Sequence, residues 1–436
     1  IKDAEALVAD ETSLSKDIKA LRKQMESYNA TVTEEIDRTA TRNGLKESID
    51  YCKSLKEGDY SNKDTFAKLA DAITTAEKAY TNVSDTRLNY KAARDTLEKV
   101  RVALTKNVST ESSNPKTFRI LDKKTVIKEM GAGINLGNTM DGGLYDSSET
   151  GWQAYKTTKD YIKALHDAGY NTVRIPVTWG SHINDDYTID EAWINRVQEI
   201  VDYCVDQDMY AIVNIHHDGA ANHDDRGNNT PACWLDTYSQ NIEKVYQKYE
   251  GVWNTIANRF KDYDEHVIFE SMNEVTDAHG TATNEDDAVL NALNQLFINT
   301  VRATGSNNTK RWLAITGRFA TTAAITTMPE DTLADSGDLG TTRLMFAVHI
   351  YKSNNNVRWS YDDLKQWQSS MSSSYKNVGN LDSNMPIYVG EYGVRTKAQN
   401  GSATGYNNAE RALNYEMCAA IADFYNAVPV VWDQGT

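Results

Sequence analysis

Cysteine and proline are scarce in this chain, four and six in 436 residues. The cysteines, Cys52, Cys204, Cys233 and Cys418, lie too far apart for a zinc motif or a dense disulfide framework. Cys52 and Cys204 fall on apolar helical faces, where a buried free thiol is expected. Proline is absent from the first 106 residues, so nothing there interrupts a helix. Long hydrophobic runs are also missing. The longest apolar stretches have the length of a strand, too short to cross a bilayer. Basic residues are in deficit: 46 Lys and Arg against 62 Asp and Glu, a net charge of −16. That balance counts against nucleic acid or an anionic membrane as partner. The chain opens on Ile1 without a signal peptide, and the expectation is a processed or trimmed chain.

Residues 1–106 read as a small helical bundle, and residues 107–117, polar and unpatterned, as a linker. Apolar residues recur in steps of three and four: Leu45, Ile49, Cys52, Leu55; Phe66, Leu69, Ile73, Ala76, Tyr80; Ala93, Leu97, Val100, Leu104. Asn62 and Asp85 are expected as N-caps. A further helix is expected before these, carrying Ile18, Leu21 and Met25 on one face. The stretch from Leu45 to Leu104, through GDYSNKDTFAKLADAITTAEKAY and DTLEKVRVAL, resembles the FIVAR module of bacterial surface and secreted proteins. That resemblance implies a spacer, or contact with another domain, a cell surface or a glycan; a plain helical spacer fits the same pattern.

From residue 118 strands alternate with amphipathic helices. Eight strand candidates are legible: GAGINLG (131–137), NTVRIPV (171–177), YAIVNIHH (210–217), HVIFESMNE (266–274), RWLAITG (311–317), LMFAVHIY (344–351), PIYVGEYG (386–393) and VPVVWDQG (428–435). Eight such repeats over residues 118–436 predict an α/β fold, a (β/α)₈ TIM barrel, better than an open doubly wound sheet. The eighth strand is not followed by a helix, and the barrel is expected to be cut short there.

In such barrels the chemistry sits at the carboxyl ends of the strands. Those ends carry Asn135, Arg174, His216, His217, Asn273, Glu274, His349, Tyr351, Glu391 and Trp432. A single polar strand end is ordinary structure; ten around one rim point to a site. Glu274 and Glu391 stand out, because two carboxylates facing one cleft are the equipment of glycoside hydrolysis. An acidic chain suits a neutral polymer as substrate.

GINLGNTMD, TVRIPVTW, NIHHD, SMNEV, VHIY, VGEYG and VVWDQG, in that order at strand ends, resemble the signatures of glycoside hydrolase family 5, with the flavour of its subfamily 4 endoglucanases. The resemblance implies a secreted bacterial endo-β-1,4-glucanase that hydrolyses cellulose-like, mixed-linkage or xyloglucan chains with retention and without cofactor or metal. It implies Glu274 as acid/base, its pKa held up by burial and a neighbouring negative charge, and Glu391 as nucleophile, paired with Arg174, which also counts among the expected substrate-binding residues. Tyr351 is expected to donate to the nucleophile and Asn273 to bind the sugar 2-hydroxyl. His216 and His349 are expected to orient the carboxylates and sugar, Trp432 to lie under the sugar ring, and Asn135 to line a more distant subsite. His217 is left open between a sugar ligand and a residue of the barrel wall. Val275, Gln434 and Ile350 depart from the usual family pattern without removing a charge.

Three alternatives belong beside this reading: a mannanase or xylanase on the same scaffold, an inactive carbohydrate-binding or adhesion protein, and structural roles for the glutamates. His216, His217 and Asp218 suggest a metal, but neighbours in a strand point to opposite faces and are not expected to chelate together. Trp152, Trp179, Trp234 and Trp359 are candidates for outer sugar platforms or for loop packing.

Overall fold

The computed structural model describes residues 16–107, 115–145, 147–219, 231–237, 242–276, 284–323, 325, 328–335, 337, 342–351, 361–393 and 408–432. The chain divides into two compact units: Ile1–Glu57 with Lys63–Arg101, and Gly58–Asn62 with Val102–Thr436.

The first unit is helical. Its helices are α1 (Lys16–Ser54), α2 (Lys63–Thr81) and α3 (Arg87–Val102). Leu45, Ile49, Cys52, Leu69, Ala76, Tyr90 and Leu97 are buried, as their spacing demands. The separate helix expected around Met25 does not exist as such: α1 runs unbroken for 39 residues. Gly44 sits inside it, at a cost of only about 1 kcal/mol, and no proline interrupts the run. Asp85 is not the cap of α3. Thr86 is, its Oγ1 accepting from the Asn89 N–H, while Asp85 accepts from the Thr86 N–H. Asn62 lies in the second unit, where its amide bonds to Ala103 and Thr105. Of the expected linker, residues 108–114 lie outside the described residues. The Lys116 N–H donates to the Asp262 carbonyl and so belongs to the barrel.

The second unit is the predicted (β/α)₈ barrel. Its strands are β1 (Gly133–Asn135), β2 (Thr172–Ile175), β3 (Tyr210–Asn214), β4 (Val267–Glu270), β5 (Leu313–Ile315), β6 (Leu344–His349), β7 (Ile387–Tyr392) and β8 (Ala427–Val431). They close in sequence order, with β8 pairing back to β1 in parallel. Between them run α5 (Lys159–Asp167), α6 (Glu191–Val205), α7 (Ile242–Phe260), α8 (Asn284–Ala303), α9 (Tyr361–Leu381) and α10 (Asn408–Phe424). Among the described residues the β5-to-β6 connection holds only a 3₁₀ turn, Arg318–Ala320.

Alternation along the strands sorts the core into two layers. Val173, Ile175, Val213, Phe269, Phe346, Val348, Ile387 and Val389 pack outward against the helices. Tyr210, Ile212, Ile268, Trp312, Ala314, Met345, Ala347, Tyr388, Val428 and Val430 pack into the barrel. The short helix α4 (Lys123–Met130) adds Val126 and Met130 to that inner layer. Two residues above these inner apolar side chains, the same parity reaches Asn214, Glu270, His349 and Trp432.

The parity slips once among the site strands. Val348 pairs with Val389, but His349 pairs with Glu391, so Gly390 is an extra residue in β7. Among the described residues no helix is long and apolar enough to cross a membrane.

Candidate active site

The site is organised by one buried cation. Arg174, at the end of β2, is fully enclosed. Its Nε and Nη2 donate to both oxygens of Glu270, at 2.8 and 2.9 Å. Nη2 also donates to Asn273 Oδ1 at 2.8 Å, and Nη1 donates to Asn135 Oδ1 at 2.9 Å and to Glu391 Oε1 at 2.8 Å. A planar fork bound this way holds three strand ends in fixed geometry, because a guanidinium offers its donors in set directions.

Glu391 receives its second donor from Tyr351, whose OH lies 3.0 Å from Oε2. Burial, and then the charge of Glu391, push the Tyr351 phenol well above its ordinary range, so it remains a donor. Across the cleft, His349 Nδ1 lies 2.6 Å from Glu274 Oε1 and 3.7 Å from Glu391 Oε2. One carboxylate oxygen of Glu274 and one of Glu391 come within 4.8 Å of each other. Glu391 is buried, whereas the Glu274 side chain is 41% exposed and open to a ligand.

The expectation of a raised Glu274 pKa is corrected here. Burial does raise it, but the hydrogen bond and charge of His349, with the charges of Arg174 and His217, outweigh burial and bring it below its ordinary value. His349 moves the other way: burial lowers its pKa, while Glu391 and Glu274 more than offset that and raise it. The two shifts run in the directions that an ion pair between these groups produces.

The opposite wall is built from β1, β3 and β8. His216 is buried, its ring parallel to Trp432 at 5.7 Å between centroids. His216 Nε2 lies 4.0 Å from Glu391 Oε1 and 4.0 Å from Asp141 Oδ2. His217 turns its Nε2 to within 3.5 Å of the same Asp141 oxygen. Its ring meets the edge of Trp152 at 5.3 Å, and Trp152 is 44% exposed. The question left open for His217 resolves toward the cleft.

The profile of cellulase, glycosyl hydrolase family 5, matches residues 125–436. The chain belongs to that family. Endoglucanase A of Paenibacillus barcinonensis is 33% identical over 348 residues, covering 73% of this chain and 84% of the relative. Endoglucanase A of Ruminococcus albus is 32% identical over 328 residues, covering 72% and 84%. Among solved structures, the family 5 xyloglucanase from Paenibacillus pabuli superposes with a TM-score of 0.62 at 32% identity, covering 71% of this chain and 91% of that one. The GH5-4 broad specificity endoglucanase from Ruminococcus champanellensis, with bound cellotriose, gives 0.62 at 32% identity, covering 73% and 91%. This chain is therefore a glycoside hydrolase, and the cleft described above is that of a family 5 barrel.

Within this family 5 cleft, two expected ligand contacts are corrected. Asn135 does not line an outer subsite. It is buried, its Nδ2 donating to the carbonyls of Gly390 and Val431 and its Oδ1 accepting from Arg174. Arg174, enclosed beneath Glu391, does not reach a sugar either. Both residues hold the site from below. Of the tryptophans, Trp179 is core, with Nε1 donating to the Asn214 carbonyl. Trp234 is tied to Asp218, and Trp359 lies outside the described residues.

Three residues of the site went unread in the sequence: Glu270, Asp141 and Asn214. A signal for Glu270 was present. It stands two residues past inward-facing Ile268, so alternation puts a carboxylate inside the barrel, where it must meet a cation. Asp141 ends the GINLGNTMD run but lies beyond strand parity.

The argument that His216 and His217 face apart also fails, because β3 ends at Asn214 and alternation ends with it. Among the described residues, Asp141, His216 and His217 bring three possible ligand atoms within 4.8 Å of one another, and so do Glu274, His349 and Glu391. By donor type either set could hold a divalent transition cation.

Proposed function

We propose that this family 5 enzyme is a retaining endo-β-1,4-glucanase with Glu391 as nucleophile and Glu274 as acid/base. The observation that carries the reading is the approach of the two carboxylates, oxygen to oxygen within 4.8 Å. Retention needs carboxyl groups about 5–5.5 Å apart, whereas inversion leaves roughly 6.5–9.5 Å for a water. In the first step a Glu391 oxygen attacks the anomeric carbon. The glycosidic C–O bond breaks as Glu274 gives its proton to the leaving oxygen, and a glycosyl ester forms. In the second step Glu274 takes a proton from water, the water oxygen attacks the anomeric carbon, and Glu391 departs as carboxylate.

His349 is placed to exchange a proton with Glu274 before the first step. Its Nδ1 lies 2.6 Å from Glu274 Oε1, and passing the proton along that contact leaves both groups neutral, which a closed cleft favours. Arg174 and Tyr351 aim the Glu391 oxygens. With Asn273 Oδ1 bound to Arg174, its NH₂ is left for the sugar 2-hydroxyl. Trp432 offers its face to the sugar ring.

Cellulose-like, mixed-linkage and xyloglucan chains are the proposed substrates. The similarity to a xyloglucanase and to a broad specificity endoglucanase supports that range. Such polymers cannot enter a cell, so the enzyme acts outside it. The N-terminal helices serve as a spacer that contacts another domain, a cell surface or a glycan.

The test is hydrolysis of carboxymethylcellulose, lichenan, xyloglucan, mannan and xylan, with the anomer of the first product read by NMR. Glu391→Gln abolishes turnover and retains oligosaccharide binding by calorimetry. Cleavage of mannan or xylan alone would move the assignment to those activities, and no cleavage of any β-glycan by the parent would favour a binding protein.

A further inference from the structure

Asn214 ends β3 and is wholly buried. One end of its amide accepts from the Val177 N–H at 3.2 Å. A backbone N–H can only donate, so that end is the oxygen and the other end is the NH₂. The NH₂ lies 3.2 Å from His216 Nδ1. Facing a donor, Nδ1 must accept.

His216 is neutral. Burial first, then the positive ends of His217, Arg174 and His349, hold its pKa well below the ordinary value. A neutral imidazole carries one proton, and with Nδ1 as acceptor that proton is on Nε2. Nε2 lies 4.0 Å from Glu391 Oε1 and 4.0 Å from Asp141 Oδ2. The Asp141 carboxylate is held through Oδ1 by the Thr139 N–H at 2.8 Å, and its buried Oδ2 makes no hydrogen bond among the described residues.

We propose that Asn214 is a positioning residue that locks His216 as the Nε2–H tautomer, so that a donor, and never a lone pair, faces the space between Asp141 and Glu391. Both separations are too long for direct hydrogen bonds, so the Nε2–H acts on the two carboxylates through its dipole. The same lock keeps the His216 lone pair on the Asn214 side, away from Asp141 and Glu391.

The tautomer is a property of the free protein. Only its consequence for turnover rests on the glucanase reading. The experiment is long-range ¹H–¹⁵N correlation of the full chain labelled with ¹⁵N-histidine, with His216 assigned by the signals lost in His216→Gln. The expected result is an unprotonated Nδ1 and a protonated Nε2 in the parent. In Asn214→Asp the carboxylate still accepts from Val177 but can only accept from His216, so Nδ1 gains a proton. With the thermal midpoint recorded, kcat/KM on cello-oligosaccharides falls about tenfold, as the polarity of the ring beside Glu391 changes. A protonated Nδ1 in the parent overturns the proposal, whether or not Asn214→Asp folds. So does a switched Nδ1 in Asn214→Asp with kcat/KM unchanged. Absence of hydrolysis by the parent would instead strike the glucanase reading and leave the tautomer measurement standing.

Discussion

Glu391 stands opposite His349 in the β6–β7 ladder, one residue out of step with the pairing of Val348 and Val389 just below. Tyr388 points into the barrel, so strict alternation would turn Gly390 inward and Glu391 outward, against the helices. The extra residue at Gly390 reverses that parity. It brings Glu391 to the same side as His349, where Arg174 and Tyr351 can reach it. β-Bulges recur beside active sites for this reason: they re-aim a side chain without moving the strand.

Gly390→Ala tests the bulge. An added Cβ would lie 3.1 Å from Tyr388 Cε2 and 3.2 Å from His349 Nε2. Both rings must give by a few tenths of an ångström, and His349 holds Glu274. Activity on cello-oligosaccharides is expected to fall about ten- to a hundredfold, since small misplacements in a site are costly. Stability should drop by about 1–3 kcal/mol, as in other overpacked cores. Steady-state kinetics beside a urea melt check it; an unchanged kcat would mean that the His349 position is not critical.

Glu270→Gln tests the buried cation. Arg174 and Glu270 are both fully enclosed and joined by two hydrogen bonds. Among the described residues, neutralising Glu270 leaves Arg174 with Glu391 as its one anionic partner. Breaking a buried pair from one side typically costs about 3–5 kcal/mol. Denaturant unfolding of the variant should report a loss of that size, and a shift under 1 kcal/mol would show that Asn135, Asn273 and Glu391 suffice.

Glu274→Ala tests the division of labour between the carboxylates. Losing a general acid lowers kcat by roughly 10²–10⁴ where the leaving oxygen needs a proton. The expected loss on cello-oligosaccharides is of that order. On an aryl cellobioside with a dinitrophenolate leaving group the first step needs no proton and should be nearly unimpaired, with burst kinetics as the glycosyl ester accumulates. Equal loss on both substrates would deny Glu274 the acid role.

The Glu274–His349 contact predicts a pH window of stability. Glu274 is depressed below its ordinary 4.5, so its contribution is complete above that value and fades as pH falls through the folded pKa. His349 is raised above its ordinary 6.5, so its contribution is complete below that value and fades as pH rises through the folded pKa. Both contributions are therefore present together between pH 4.5 and 6.5. The difference in urea midpoint between the parent and His349→Asn should be largest there and shrink on either side. A difference that keeps growing above neutrality would reverse the assigned direction for His349.

Much of this protein could be read without coordinates. Short, nearly continuous apolar runs separated by helical periodicity point to parallel strands covered on both faces, and eight such repeats point to closure as a barrel. The rule that strand ends carry the chemistry then led to Glu274, Glu391, His349, Tyr351 and Trp432. What pattern cannot supply is anything that depends on three-dimensional closure. Alternation failed at Gly390, where an extra residue reverses it, and after Asn214, where the strand ends and His216 and His217 swing to one carboxylate. The internal duty of Asn135, the Arg174–Glu270 pair and the downward pull of His349 on Glu274 depend on which groups meet across the barrel. Sequence spacing determines which residues a strand presents; only the packed barrel decides which charge each one faces, and that charge sets where the proton rests.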